Sequence, residues 1–165
     1  MAIYIALGAN LGDRRANLAQ ALRSLPPEAS VEAVSALYES TPQPPAPPPD
    51  YLNAACRIAT QLDPEALLRH VKQIEHDMGR RPGERWAPRL IDLDIVLYDD
   101  LILDTATLVI PHSRLAERNF VLQPLLDLDP GLKHPATGQR LDALLKQTGN
   151  GGLRRIAEPG WQGER

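Results

Sequence analysis

The stretch RLIDLDIVLYDD, residues 89–100, places Ile91, Leu93, Ile95 and Leu97 on every second position. A period of two marks a β-strand, whose successive side chains point to opposite faces. The other register holds Asp92 and Asp94, with Leu90, Val96 and Tyr98 around them. Asp is disfavoured in strands. Two carboxylates on one strand face stand about 6.5 Å apart, repel each other and are costly to desolvate. Any fold built on this segment must therefore compensate an acidic pair on one strand.

The rest of the chain falls into short periodic segments. AIYIALG (2–8) alternates as a strand ending at Gly8. DRRANLAQALRSL (13–25) predicts a helix, with Asp13 as N-cap and Leu18, Ala21, Leu22 and Leu25 as its apolar stripe. Pro26 and Pro27 stop it. VEAVSALYES (31–40) and YLNAACRIATQ (51–61) read as strands, separated by PQPPAPPPD (42–50), whose six prolines exclude a helix or a central strand. Pro64 opens a second helix with Leu67, Leu68, Val71, Ile74 and Met78 on one face and Gly79 as its stop. ERNFVLQPLLDL and LDALLKQT predict short helices, and the Gly-rich segment 149–165 is expected to be a loose tail. The order strand, helix, strand, strand, helix, strand predicts an α+β, ferredoxin-like fold. Its antiparallel sheet is expected to carry packed helices on one side, with additional short C-terminal elements.

With 165 residues, 43% hydrophobic and 24% charged, residues 1–165 are expected to form a single domain with its own core. A net charge of −3 argues against a nucleic-acid partner held by bulk charge. MAIYIALGAN lacks a basic n-region, so no signal peptide is expected, and no apolar window reaches membrane-spanning length. Cys56 is the only cysteine, which excludes an internal disulfide and agrees with a cytoplasmic location.

The Asp92/Asp94 pair suits Mg²⁺, which prefers hard oxygen ligands and completes its shell with water and phosphate. The alternative is a solvated strand face, which Leu90 and Val96 weaken. GRRPGERWAPR (79–89) brings Arg80, Arg81, Arg85 and Arg89 up to the pair. Guanidinium groups match phosphate oxygens, Trp86 offers a flat cover, and the Gly and Pro content suits a lid; the alternative is a solvated basic loop. Carboxylates beside arginines describe a nucleoside triphosphate site better than either does alone. IPHSRLAERNF (110–120) adds His112, Arg114 and Arg118, although a lone His is more often structural. GANLGD (8–13) has glycines before a helix but lacks the Walker lysine and spacing. Residues 42–50 read either as a linker, a polyproline ligand, or a stiff loop arching over a site. Tyr51 and Asn53, two apart, point to one strand face, and Asn53 offers both a donor and an acceptor.

Taken together, IALGANLGD, YESTP followed by PDYLNAA, ERWAPRLIDLDIVLY and IPHSRLAERNFVLQPL closely resemble the 6-hydroxymethyl-7,8-dihydropterin pyrophosphokinases of folate biosynthesis. The resemblance runs through most of the chain, and the segment matching RWGPRxLDLDI is long and specific. It implies a ferredoxin-like α+β fold. It also implies transfer of pyrophosphate from ATP, as co-substrate, to the pterin hydroxymethyl group, with release of AMP and two Mg²⁺ ions as cofactors. By the resemblance Asp92 and Asp94 hold both ions, and together with Arg80 and Arg89 carry catalysis. Thr41, Pro42, Tyr51, Asn53 and Phe120 would line the pterin pocket, with Trp86 closing over it. Glu75, Arg80, Arg85, Arg89, Ile95, His112 and Arg118 would face ATP. The expected partners are these two small molecules, with no nucleic acid and no membrane, and the chain is expected to be a monomer. Departures from the family pattern are Ala87 for Gly in RWGPR, Thr107 and Val109 where Arg and Thr often contact ATP, Lys72-Gln73 for Gln-Arg, and the proline excess of 42–50. Two rival functions remain: a two-metal nucleotidyltransferase that releases pyrophosphate, and a non-enzymatic metabolite-binding or interaction module.

Overall fold

The structure, a computed structural model, describes residues 2–42, 49–79 and 90–163. Its strands are β1 (Ile3–Ala9), β2 (Ala29–Val34), β3 (Leu37–Ser40), β4 (Tyr51–Thr60), β5 (Asp92–Tyr98), the short pair β6 (Leu103–Asp104) and β7 (Val109–Ile110), and β8 (Leu153–Ala157). The helices are α1 (Arg14–Ser24), α2 (Pro64–Asp77), α3 (Asn119–Leu128) and α4 (Leu141–Thr148). The main sheet runs β5-β1-β4-β3-β8, with β2 pairing the far half of β4, and the pairings reported for it are antiparallel. This is the expected ferredoxin-like order, lengthened by β8.

Local chemistry sets the helix starts. Asp13 caps α1 by accepting from Ala16 N at 3.1 Å, and Asp63 caps α2 by accepting from Ala66 N at 2.8 Å. Gly79 ends α2 with φ +97°, a conformation open to glycine at little cost. The predicted stripes face the core, with Leu68 and Met78 only partly buried. Leu18, Ala21, Leu22 and Leu25 of the α1 region, with Leu67, Val71 and Ile74 of α2, pack against Ile5, Leu7, Leu93 and Ile95 on one face of the sheet. α3 and α4 cover the other face, where Val121, Leu122, Leu125, Leu141 and Leu144 pack on Tyr4, Ala55, Val96 and Leu97. The helices thus occupy both faces of the sheet rather than the one side expected, because α3 and α4 add an apolar layer over Tyr4, Ala55, Val96 and Leu97. No described helix is long and apolar enough to cross a membrane.

Three departures from the sequence expectation have physical causes. The strand expected over 31–40 is split at Ser35–Ala36. Ser35 stands in for the ladder there: its Oγ accepts from Ala55 N at 2.9 Å and donates to Ala36 O at 2.8 Å. In β5 the alternation breaks. Ile5 faces Ile95 but Tyr4 faces Leu97, so Val96 is an extra residue in a bulge, and Leu97 crosses to the α3–α4 face. The third is a correction: residues 149–163 are not a loose tail. β8 pairs with β3, and Trp161 is 1% exposed with its Nε1 donating to Ser35 O at 2.9 Å. That carbonyl is available because the strand breaks at Ser35. A single buried indole and one edge pairing hold what the glycines alone would leave free.

Candidate active site

β5 is the sheet edge, and its burial alternates: Asp92 and Asp94 are half-buried while Leu93 and Ile95 are buried. The register lines up a row across four strands. Asp92 faces Gly8, Gly8 faces Asn53, and Asn53 faces Tyr38. One row on, Asp94 faces Ala6, and Ala6 faces Ala55. The acidic pair and Asn53 therefore share one face, separated by a floor of Gly and Ala. A Cβ on Gly8 would come within 3.6 Å of Asn53 Oδ1 and 3.7 Å of Tyr51 Cδ1, so the missing side chain keeps that floor low. Gly8 lies inside β1 rather than in a phosphate-cradling loop.

On the Asn53 side, the side chain is 4% exposed and its Nδ2 donates to Ser40 Oγ at 2.7 Å. Tyr51 faces Ser40 across the strands. Thr41 and Pro42 follow at the end of β3, Thr41 exposed and Pro42 half-buried. Phe120 enters on the first turn of α3, half-buried, with the Arg118 guanidinium 5.5 Å from its ring centre. Tyr38 braces this side: its hydroxyl donates to Asp127 Oδ2 at 2.6 Å, tying β3 to α3. Burial and the adjoining Asp127 carboxylate push the Tyr38 phenol up to about 12, so it stays a donor at neutral pH. Ser40 went unnoticed in the sequence, although it alternates with Tyr38 on a strand already identified.

On the acidic side, Arg118 is half-buried, and among the described residues its Nε is one of two buried side-chain polar atoms with no hydrogen-bond partner. Burial and Arg114 lower its pKa while Asp94, Glu117 and Asp92 oppose them, yet a guanidinium keeps its charge in proteins. A buried donor left unsatisfied is costly and points to a ligand acceptor. His112 lies beside it. Burial lowers its pKa, with Arg118 and Arg114 adding to the effect and Asp94 opposing it. Its Nδ1 accepts from Arg114 N at 3.1 Å, so in the neutral ring the proton sits on Nε2, which is then a donor. His112 N also donates to Val96 O at 3.0 Å, fixing it against the bulge.

A cavity of about 200 Å³ opens along the β5 edge, lined by Asp94, Ile95 and His112 together with Leu68 and Lys72 of α2 and Thr107–Val109. Glu75 lies behind this wall, 2% exposed. Its Oε2 accepts from Leu93 N at 2.6 Å and its Oε1 from Lys72 Nζ at 3.2 Å. Leu93 sits between the two aspartates, so Glu75 fixes the strand that presents them. The two aspartates fit a hard cation. Among the described residues, no group of three or more His, Cys, Asp or Glu side chains is placed to hold a metal ion by itself. A carboxylate pair instead leaves positions for water and phosphate, the pattern Mg²⁺ takes. Of the remaining expected site residues, Arg80, Arg85, Trp86 and Arg89 lie outside the described residues, as does most of the proline-rich segment.

Asn53→Ala should weaken binding of a flat heterocycle on this face by about 1–3 kcal/mol, the cost of leaving buried polar groups unpaired. Affinity for MgATP should hardly change, because the cavity beside β5 does not include Asn53. Calorimetric titration of each ligand checks this, and an equal loss for both would remove Asn53 from a site for the heterocycle.

Comparison with known proteins converges on one family. The model of the 7,8-dihydro-6-hydroxymethylpterin-pyrophosphokinases matches residues 4–130. The folic acid synthesis protein FOL1 of Dictyostelium discoideum is 41% identical over 151 residues, covering 90% of this chain but 23% of that protein. The mitochondrial bifunctional folate synthesis protein of Arabidopsis thaliana is 46% identical over 127 residues, covering 76% of this chain and 23% of the other. The chain thus spans less than a quarter of the length of these relatives. The 2-amino-4-hydroxy-6-hydroxymethyldihydropteridine pyrophosphokinase of Bacillus subtilis is 41% identical over 141 residues and covers 84% of each chain. In fold, the chain superposes on the crystal structure of Plasmodium falciparum HPPK-DHPS wild type with pteroate, with a TM-score of 0.76 at 15% identity over 94% of this chain and 47% of that one. With the family match spanning most of its length, the chain belongs to the 7,8-dihydro-6-hydroxymethylpterin-pyrophosphokinase family.

Proposed function

We propose that this chain, acting as one catalytic unit, transfers pyrophosphate from ATP to the hydroxymethyl group of 6-hydroxymethyl-7,8-dihydropterin and releases AMP. The observation that carries this is the row Asp92–Gly8–Asn53. It sets an anionic, metal-fitting end and a neutral hydrogen-bonding end on one uninterrupted face. Family membership and the name of the Bacillus subtilis relative support the same reaction.

Asp92 and Asp94 would hold two Mg²⁺ ions. Bound there, the ions would neutralise the triphosphate, polarise its phosphoryl groups and lower the pKa of the acceptor hydroxyl. Asn53 and Ser40 would hold the polar edge of the pterin, and Phe120 would stack on its ring. The nucleotide would lie along the β5 cavity, with Ile95 against its base. Arg118 and the Nε2–H of His112 would donate to phosphate oxygens, one as a cation and one as a neutral group. By resemblance alone, Arg80, Arg85 and Arg89 would add charge on the phosphates, and Trp86 would cover the pterin.

The hydroxymethyl oxygen forms its bond to the β-phosphorus as the bond from that phosphorus to the α–β bridging oxygen breaks. AMP leaves with that oxygen, and the hydroxyl proton passes to water. No side chain needs to form a covalent intermediate, so rate comes from alignment and from charge fixed in place beforehand.

Mixing the protein with MgATP and the pterin, then identifying the nucleotide product, tests the proposal. AMP should accumulate in step with pterin consumption. ADP as the primary product would end this mechanism, free pyrophosphate would favour a nucleotidyltransferase, and absence of turnover would favour a binding module.

A further inference from the structure

A glycine turn, residues 149–152, joins α4 to β8 and lies past residue 130, where the family match ends. Gly149 and Gly152 both hold positive φ, +74° and +73°. Two elements grip the turn. Asn119, the first residue of α3, donates its side-chain amide to Gly149 O at 2.9 Å and Gly151 O at 3.1 Å. Thr41 N donates to Gly152 O at 3.0 Å, and Leu153 pairs with Ser40. The approach is close: a Cβ on Gly152 would lie 3.0 Å from Thr41 Oγ1.

These grips fall on the two walls of the face described above. Ser40, which accepts from Asn53, ends β3, and Thr41 follows it. Phe120 is the neighbour of Asn119 at the start of α3. The turn therefore ties the hydrogen-bonding wall to the stacking wall. It has no part in the cavity along β5. A flat ring held between a polar edge and an aromatic face needs that spacing fixed within about 0.5 Å.

We infer that Asn119 and the glycine turn it grips are positioning elements for the heterocycle, setting the gap between Ser40–Asn53 and Phe120. This rests on the proposed assignment of that face to the pterin. Asn119 does not touch the substrate; it acts through Phe120 on one side and, by way of the turn, through Ser40 and Thr41 on the other. The consequence is selective: loosening the turn changes recognition of the heterocycle and leaves the nucleotide alone.

Asn119→Asp tests this, because it turns two N–H donors into an acceptor facing the same two carbonyls. KM for 6-hydroxymethyl-7,8-dihydropterin should rise about tenfold, the equivalent of the two lost hydrogen bonds, while KM for MgATP stays within about twofold. Gly152→Ala should produce the same split by pressing on Thr41. Direct titration of the pterin, with a non-hydrolysable ATP analogue present, should show the same loss. Equal changes in both constants would overturn the inference. So would an unchanged pterin constant with a lowered melting temperature, which makes Asn119 a structural clamp only. Should Asn119→Asp fail to fold, Gly152→Ala carries the same expectation and the same refutation. Failure of the unmodified chain to bind the pterin would instead overturn the functional assignment itself.

Discussion

Asp92→Ala and Asp94→Ala should each lower kcat by a factor on the order of 10³ or more, about 4 kcal/mol of transition-state stabilisation. The two carboxylates occupy neighbouring rows of one face at the sheet edge, where they would hold divalent cations that supply charge against the phosphates. Neither belongs to the hydrophobic cores; Leu93 and Ile95, between and after them, do. The fold should therefore survive either substitution, with an unchanged far-UV circular dichroism spectrum. Mg²⁺ titration of the substrate complex should lose its saturable phase in both variants. A modest loss of activity with a large fall in melting temperature would mean that the pair serves the fold.

The second large effect concerns stability at the opposite side of the sheet. Trp161→Ala should cost about 3–5 kcal/mol, as truncation of buried large aromatics does. Trp161 is 1% exposed, its Nε1 satisfies Ser35 O at 2.9 Å, and its own carbonyl accepts from Arg15 Nη2 at 3.2 Å. The substitution leaves a cavity and removes the donor from a carbonyl at the strand break. For a chain of this size that loss should lower Tm by roughly 6–20 °C. A shift within about one degree would show the C-terminal segment to be loose after all. Because β8 pairs with the strand that ends at Ser40, just before Thr41, Trp161→Ala should also weaken pterin binding through the glycine turn.

Much of the architecture was legible because its causes are local. The Asp13 and Asp63 caps, the Pro64 start and the Gly79 stop each act within a few residues, and both helix stripes face the core, Leu68 and Met78 only in part. The placement of Asp92 and Asp94 on one face follows from the strand period, and so does that of Tyr51 and Asn53. Ser40 was readable in principle by the same rule. Glu75 shows the limit: its i, i+3 contact with Lys72 is a helix property, but its bond to Leu93 N requires α2 to be docked on β5.

The sequence by itself determined the four helices, the strands up to and including β5 apart from one break, their order and most of their faces, since periodicity, capping and proline chemistry operate over one or two turns of chain. Only the tertiary structure decided the rest. The Val96 bulge moved Leu97 to the second face because Tyr4 and α3 offered it a buried place. The C-terminal segment became β8 because a strand break 126 residues from Trp161 left a carbonyl for its indole. Asn119 came to grip the glycine turn because α3 and α4 pack side by side over the sheet. Each of these depends on hydrogen bonds and apolar contacts between distant segments, which no local pattern encodes and which become favourable only once the sheet has brought those segments together.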